Sequence, residues 1–580
     1  MQSIISQLDA AFRSAIQSAY GLDADPLIAV SGNDKFGDYQ SNAAMGLSKT
    51  LAARGEKTNP RAVAEKIKAA LQLGEIASEI SIAGPGFINV RLSTDWLQRH
   101  LSAAAADGRL GIDKMAAPQT VVVDYSGPNI AKELHVGHLR STIIGDAVVR
   151  VLDFQGHGVI RQNHVGDWGT QFGMLISHLR SLATGKPNGH VAIDDLEDFY
   201  RAAKARFDAE PAFQTEARET VVRLQAGNPA ERAMWQEIVA ETRRHYLPLY
   251  GRLGVLLTEA DERGESFYNP YLADVVKELR ASGIAVQSEG AIVIPVDGFE
   301  SPLIIEKTGG GYLYGTTDLA AIRFRVGQLH AGRVLYFTDA RQSQHFAQVF
   351  AAAKKAGWTA GASLEHASFG AMLGDDGKPF KTRSGGTVKL AELLDEAEER
   401  AKAIVVQKAV ERGLAMSDEQ YRQIAHSIGI GAVKYSDLSK DRTSDYVFSW
   451  EKALAMDGNT APYLQYAYAR VRSIFRKGDT DSQSVRGGRL VLQDPYEMAL
   501  AKHILRFSEA IGAVARELKP HHLCAYLYDL ATRFSGFFEN CPVLKSDEPI
   551  RSSRLALCDL TARTMGLGLD LLGIEHPEQM

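Results

Sequence analysis

Val121-Val122-Val123-Asp124-Tyr125-Ser126-Gly127-Pro128-Asn129-Ile130-Ala131-Lys132-Glu133-Leu134-His135-Val136-Gly137-His138 is the stretch that decides the fold. Its opening is apolar and β-branched, the pattern of a buried strand, closed by an acid. Ser126-Gly127-Pro128-Asn129 is a turn sequence. Beyond His138, Leu139, Ile143, Val148 and Leu152 recur at helical spacing. The two histidines therefore stand where a strand feeds a helix N-terminus. Unpaired N–H groups and partial positive charge there suit the phosphates of a nucleotide. Three residues apart, both imidazoles share a helical face and reach one ligand. Gly137 between them lets a flat base approach the backbone. Two plainer readings compete: a metal pair, although two ligands make no site and no third is near, or two solvated histidines at a helix start.

Outward from this motif, residues from about 119 to 395 alternate strand and helix patterns, the mark of a parallel sheet. Strand candidates are 121–125, 158–164, 333–338 and 364–369. The long gap between the second and third holds a charged helical block (194–252) and a hairpin pairing 291–295 with 303–306. The economical expectation is a multidomain α/β chain whose core is a doubly wound, Rossmann-like nucleotide-binding sheet interrupted by an insertion at about 175–300. Before it, residues 1–112 read as an α+β unit, with helices at 5–20 and 60–72 and strands at 80–82 and 87–92. Residues 103–108 and 115–118 read as a connection. After about 400 strand signals vanish, so 400–580 is expected to be all-helical.

Composition excludes more than it selects. The 580 residues are 45% hydrophobic and 23% charged, as in an ordinary globular protein. The three cysteines, Cys524, Cys541 and Cys558, match no zinc spacing and argue for a reducing compartment. The first twenty residues are mildly amphipathic, carry Asp9, and lack the apolar core of a signal peptide. No apolar run approaches the roughly 18 residues of a spanning helix, so a cytosolic protein with no membrane partner is expected. The net charge of −5 decides little about nucleic acid, which needs a local basic patch.

The segment from Ser126 to Thr142 closely resembles the signature of class I aminoacyl-tRNA synthetases, and in this extended form that of the arginyl-tRNA synthetase family. Three further blocks resemble the same family in order: Asp167-Trp168-Gly169-Thr170-Gln171-Phe172-Gly173, then Tyr314-Gly315-Thr316-Thr317-Asp318-Leu319-Ala320 with Asp339-Ala340-Arg341-Gln342-Ser343-Gln344-His345-Phe346, then Gly458-Asn459-Thr460-Ala461-Pro462-Tyr463-Leu464-Gln465-Tyr466. The resemblance covers essentially the whole chain. It implies a catalytic core, an N-terminal domain that touches the tRNA elbow, and a helical anticodon-binding domain.

It also implies an arginine pocket of Asp124, Asn129, Tyr314, Asp318 and Gln342. In it Asp318 faces the guanidinium, Asp124 and Asn129 hold the amino-acid end, and Gln342 braces the site. A planar guanidinium fork demands such acceptors, and a pocket of carboxylates rejects neutral side chains without an editing domain. For ATP, taken with its Mg2+, the resemblance implies His135, Gly137 and His138. The loop Lys378-Pro379-Phe380-Lys381-Thr382-Arg383 departs from the class pattern, because Thr382 stands where a second lysine would grip pyrophosphate. Lys132 is then the expected substitute, with Lys381 and Arg383 as the alternative source of charge.

Gly458 to Gly478 holds Arg470, Arg472, Arg476 and Lys477, several tyrosines and no acid. Composition leaves a packed helix and an RNA-binding one level; the resemblance favours RNA, through Tyr463, Arg470 and Arg472. Phe87 and Asn89 alternate onto one strand face, where one would stack on a base and the other hydrogen-bond it; a Phe following Gly-Pro-Gly is also often plain core. The implied activity is ligation of L-arginine to the 2′-hydroxyl of tRNA(Arg) through an arginyl-adenylate, formed once tRNA is bound, by a monomer. Two rivals stand beside it: a non-catalytic tRNA-binding paralogue, and a class I synthetase for another amino acid.

Overall fold

A computed structural model of the chain describes residues 2–184, 195–308, 310–374, 376–380 and 388–580. The N-terminal unit is an antiparallel sheet of β1 (Ile28–Val30), β2 (Tyr39–Ser41), β3 (Ala77–Ala83) and β4 (Phe87–Leu92) in the order β1-β2-β4-β3. Helix Ile4–Tyr20 forms because Ile4, Leu8, Phe12, Ala15 and Ile16 make one buried stripe between a Ser3 cap and a left-handed Gly21. It packs on helix Pro60–Ala70. Two helices are additions to the sequence reading, Ala43–Ala53 and Thr94–Ala106. The alanine-rich end of the second resembled a connection, yet Leu97, Leu101, Ala104 and Ala105 are buried at helical spacing below a Ser93 cap.

The central unit starts with β5 (Thr120–Asp124) and β6 (Gly158–Gln162). The insertion follows: helices Leu196–Ala209, Pro211–Gln225, Pro229–Arg252 and Glu265–Ala281, then β7 (Val286–Ser288), β8 (Ala291–Ile294) and β9 (Leu303–Glu306). The expected hairpin is β8 and β9; β7, three exposed residues too short to show a period, adds a third antiparallel strand. Then β10 (Arg333–Tyr336) and β11 (Ser363–His366) complete a parallel sheet ordered β11-β10-β5-β6. From β5 the chain turns to β6 on one side and later to β10 on the other. That reversal opens a crevice at the carboxyl ends of β5 and β10, the place where sheets of this kind bind ligands.

The remainder is helical but not free of strands. β12 (Met372–Leu373) pairs in parallel with β13 (Tyr446–Val447), a strand beyond residue 400 that the reading did not anticipate. Helix Val136–Phe154 is buried nearly all round because helices Leu390–Arg412, Asp418–Leu438, Phe507–Glu517 and Ile550–Leu571 pack on it. Buried charges fasten these contacts: Arg140 pairs with Asp437 at 2.9 Å and donates to the Ser444 carbonyl at 3.0 Å. Lys434, fully buried, instead ties helix Asp418–Leu438 to the end of the insertion and to the C-terminal turn, donating to the carbonyls of Leu253 and Gly573. Removing one partner of such a pair costs about 3–5 kcal/mol, so the helix that carries the histidines is rigidly tied to the C-terminal bundle.

Candidate active site

The turn after β5 is held in unusual backbone geometry. Ser126 (φ 74°) and Ala131 (φ 61°) occupy the left-handed region that disfavours side chains. Three bonds hold the first of these: Ser126 N donates to Ser141 Oγ at 2.9 Å, Thr142 Oγ1 donates to Ser126 Oγ at 2.9 Å, and Tyr250 Oη lies 2.6 Å from Ser126 Oγ. The next segment is strapped by Val136 N to the Val388 carbonyl (3.1 Å) and Leu390 N to the Leu134 carbonyl (2.8 Å).

His135 is the N-cap of helix Val136–Phe154. Its Nδ1 accepts from Gly137 N at 3.0 Å, while His135 N donates to His138 Nδ1 at 3.2 Å. With both Nδ1 atoms accepting, each neutral ring carries its proton on Nε2. Burial pushes His138 down to about 3, with His135 and Lys132 adding to the effect. Burial likewise lowers His135, assisted by Lys132 and Arg341. The pair therefore presents two neutral Nε2–H donors at the helix N-terminus. Gly137 has a further reason in the structure: a Cβ there would stand 2.7 Å from His135 Cε1, so any side chain would unseat the cap.

Lys132 lies in an irregular turn rather than one helical turn before His135. Its Nζ sits 4.8 Å from the ring centre of Tyr200 in the insertion. Its charge adds to the lowering of both histidines, which burial leads. Lys381, Thr382 and Arg383 lie outside the described residues.

Across the crevice, Tyr314 opens helix Tyr314–Gly327 and Asp318 follows one turn on. Both meet His345: its Nε2 lies 2.6 Å from Asp318 Oδ2, and the Tyr314 ring stands edge-on at 4.8 Å. Gln342 ends a short turn of 3-10 helix after β10, exposed in the same block. Asn129 is exposed and bridges to Gly166, where a Cβ would strike Asn129 Oδ1 at 2.5 Å. Asp124 is held from within: Arg325 Nη2 donates to its Oδ2 at 2.7 Å and Arg325 Nε to Gln162 Oε1 at 2.7 Å.

Glu265, at the first position of helix Glu265–Ala281, completes the acidic side. Burial pushes its carboxyl up to about 7, helped by Asp167 and Asp318. Asp167 caps the same helix through Ser266 N (2.8 Å) and Ser266 Oγ (2.6 Å). A half-buried acid raised by neighbouring acids is a site that a cation would relieve.

Comparison with known proteins agrees with this geometry. A family described as "tRNA synthetases class I (R), catalytic domain" matches residues 100–450. The chain belongs to the arginyl-tRNA synthetase family. An "Arginyl tRNA synthetase N terminal domain" matches 6–92 and a "DALR anticodon binding domain" 464–580. The chain is 53% identical over 577 residues to an arginine–tRNA ligase of Cellvibrio japonicus, covering 98% of each. It is 51% identical over 582 residues to one of Hahella chejuensis, covering 99% of each. The fold matches the arginyl-tRNA synthetases of Plasmodium falciparum (TM-score 0.89, 33% identity) and Thermus thermophilus (TM-score 0.83, 27% identity), each covering 100% of both chains. The fold is that expected: a class I parallel-sheet core between an N-terminal domain and a helical C-terminal domain.

In this member of the family the outlying candidates are more deeply placed than their sequence implied. Asn89, on the central strand β4, is 1% exposed, and both of its amide atoms lack partners; Phe87 two residues before is half-buried. On helix Ala461–Lys477, Tyr463 rests against Tyr528 (5.8 Å) and Arg470 over Phe538 (4.6 Å), both from helix His521–Asn540. Tyr466 faces Arg412 instead, and Arg472 pairs with Glu578 at 3.1 Å. Glu265, Arg325 and His345 escaped the sequence reading as site residues. Glu265 arrives from a helix of the insertion, and Arg325 looks like any charge on an amphipathic helix. His345 stood inside a quoted block, but only its contact with Asp318 marks it.

Proposed function

We infer that this chain is an arginine–tRNA ligase that activates L-arginine with magnesium-bound ATP and passes it to the 2′-hydroxyl of the terminal adenosine of tRNA(Arg). The observation that carries the reading is the pairing, across one crevice, of a helix N-terminus bearing two neutral imidazole donors with an acidic pocket whose Glu265 is only half-ionised near pH 7. One side suits phosphate and the other a guanidinium.

The arginine side chain enters between Asp318 and Glu265, with the Tyr314 ring beside it and Gln342 bracing. Asn129 and Asp124 receive the amino-acid end, Asp124 being held in place by Arg325. The carboxylate oxygen attacks the α-phosphorus, the bond to the bridging oxygen breaks, and pyrophosphate leaves. His135 and His138 donate through Nε2–H to the charge that gathers on the phosphate oxygens, a preorganised electrostatic role with no proton transfer. Lys132 supplies charge for the β and γ phosphates, joined by Lys381 and Arg383. In the second step the 2′-hydroxyl attacks the adenylate carbonyl and AMP departs.

The tRNA is held at both ends of the molecule, by Phe87 and Asn89 at the elbow and by Tyr463, Arg470 and Arg472 at the anticodon side. The three units 1–112, 119–395 (insertion about 175–300) and 400–580 carry elbow binding, catalysis and anticodon binding in turn. The enzyme acts as a cytosolic monomer; among the described residues no helix is long and apolar enough to cross a membrane. Aminoacylation of total tRNA with each labelled amino acid tests the reading. Arginine alone should be incorporated, and label from another amino acid would refute it.

A further inference from the structure

We infer that His345 is a positioning residue of the arginine pocket: its Nε2–H fixes the Asp318 carboxylate so that one oxygen is held and the other faces the incoming guanidinium. The inference deepens the arginine–tRNA ligase reading and rests on it.

Three observations carry it. Nε2 lies 2.6 Å from Asp318 Oδ2, a short contact of the kind a charged acceptor makes. The bond occupies Oδ2 and leaves Oδ1 for a donor from the substrate. The same imidazole stands edge-on to Tyr314 at 4.8 Å, so one side chain sets both the acid and the aromatic wall. Third, His345 follows Gln342 by three residues at the start of helix Ser343–Lys355, which ties all three pocket groups to a single helical turn.

The helix does not need this imidazole in order to fold. Its buried face is Phe346, Val349, Ala352 and Ala353, while His345 stands on the neighbouring face with 19% of its side chain exposed. A residue bonded to a pocket carboxylate at a helix start, and dispensable to the packing stripe, is placed for aiming rather than for stability. An unheld Asp318 would rotate among several orientations, and only some would meet the planar guanidinium fork with both oxygens correctly disposed.

Two substitutions of equal polarity separate aiming from folding. In His345→Gln the side-chain amide N–H reaches about as far as the imidazole Nε2; in His345→Asn it falls short. Steady-state ATP–pyrophosphate exchange with tRNA present gives KM for arginine, KM for ATP and kcat for each. Exchange by the unsubstituted enzyme with arginine checks the underlying reading independently, because its absence would overturn that reading whatever the variants do. Losing one charge-assisted hydrogen bond corresponds to about 10- to 100-fold. His345→Asn should therefore raise the arginine KM by at least about tenfold, with kcat and the ATP KM within about threefold. His345→Gln should restore the arginine KM to within about threefold of the unsubstituted enzyme. Equal arginine KM values for the two variants, or a loss confined to kcat, would overturn the inference.

Discussion

The imidazole of His138, pushed down to about 3 by burial and by its neighbour His135, stays neutral across the physiological range. A group in that state donates a hydrogen bond but carries no proton to or from the reaction. His138→Ala should accordingly lower the adenylation rate by roughly 10²–10³, as when one oxyanion-type donor is lost, while ATP affinity barely moves; near-normal single-turnover rates would remove His138 from the chemistry. Glu265 behaves oppositely. Its carboxyl sits near 7 because burial and the Asp167 and Asp318 carboxylates oppose ionisation, and a bound guanidinium favours the ionised form. Below that value arginine must displace a proton to bind. The arginine KM should thus fall as pH rises from about 6 to about 8, and Glu265→Gln should abolish that slope in KM titrations. An unchanged slope in the variant would place the titration elsewhere. Asp318 was singled out in the sequence only through the family resemblance of its block, the two histidines also through their place between a strand and a helix. Glu265 was not, since Gly264-Glu265-Ser266 has no local pattern and gains its meaning from Asp318, more than fifty residues away in the chain.

At the scale of elements, a compact strand–turn–helix unit from Thr120 to Phe154 was readable because hydrophobic period, turn chemistry and the histidine pair all agreed. The four strands of the parallel sheet were readable for the same reason. The short β7 and β13 were not, because two- and three-residue strands carry no period and exist only through their partners. Gly137 was singled out in the sequence for an approaching base, and the structure adds a separate requirement, the His135 ring against which a Cβ would stand. Lys132 belongs to the turn, not the helix, and its position beside Tyr200 links the turn before the histidines to the insertion. Because Thr382 replaces the customary lysine, Lys132→Ala should slow adenylate formation severely in rapid-quench assays, by more than Lys381→Ala does. The reverse order would return the leading role to the loop from Lys378 to Gly386.

Over the whole molecule, the helix that carries the histidines is tied to the C-terminal bundle by Arg140–Asp437 and by Arg150, which donates to the Asp570 carbonyl, contacts that no sequence pattern announced. The proposed RNA-binding residues show the same limit. Tyr463 and Arg470 share a face, but that face is shared with helix His521–Asn540, and Arg472 is engaged by Glu578. If Arg470 contacts phosphate, Arg470→Ala should flatten the dependence of log affinity for tRNA on log salt by roughly one unit of slope; parallel slopes would make it a packing residue over Phe538. The most direct test of the account as a whole is ATP–pyrophosphate exchange measured with each amino acid in turn, with and without tRNA(Arg). The account predicts exchange with arginine and tRNA(Arg) together, and none with the other amino acids. Exchange driven by a different amino acid, or no exchange with arginine and tRNA(Arg) present, would contradict it.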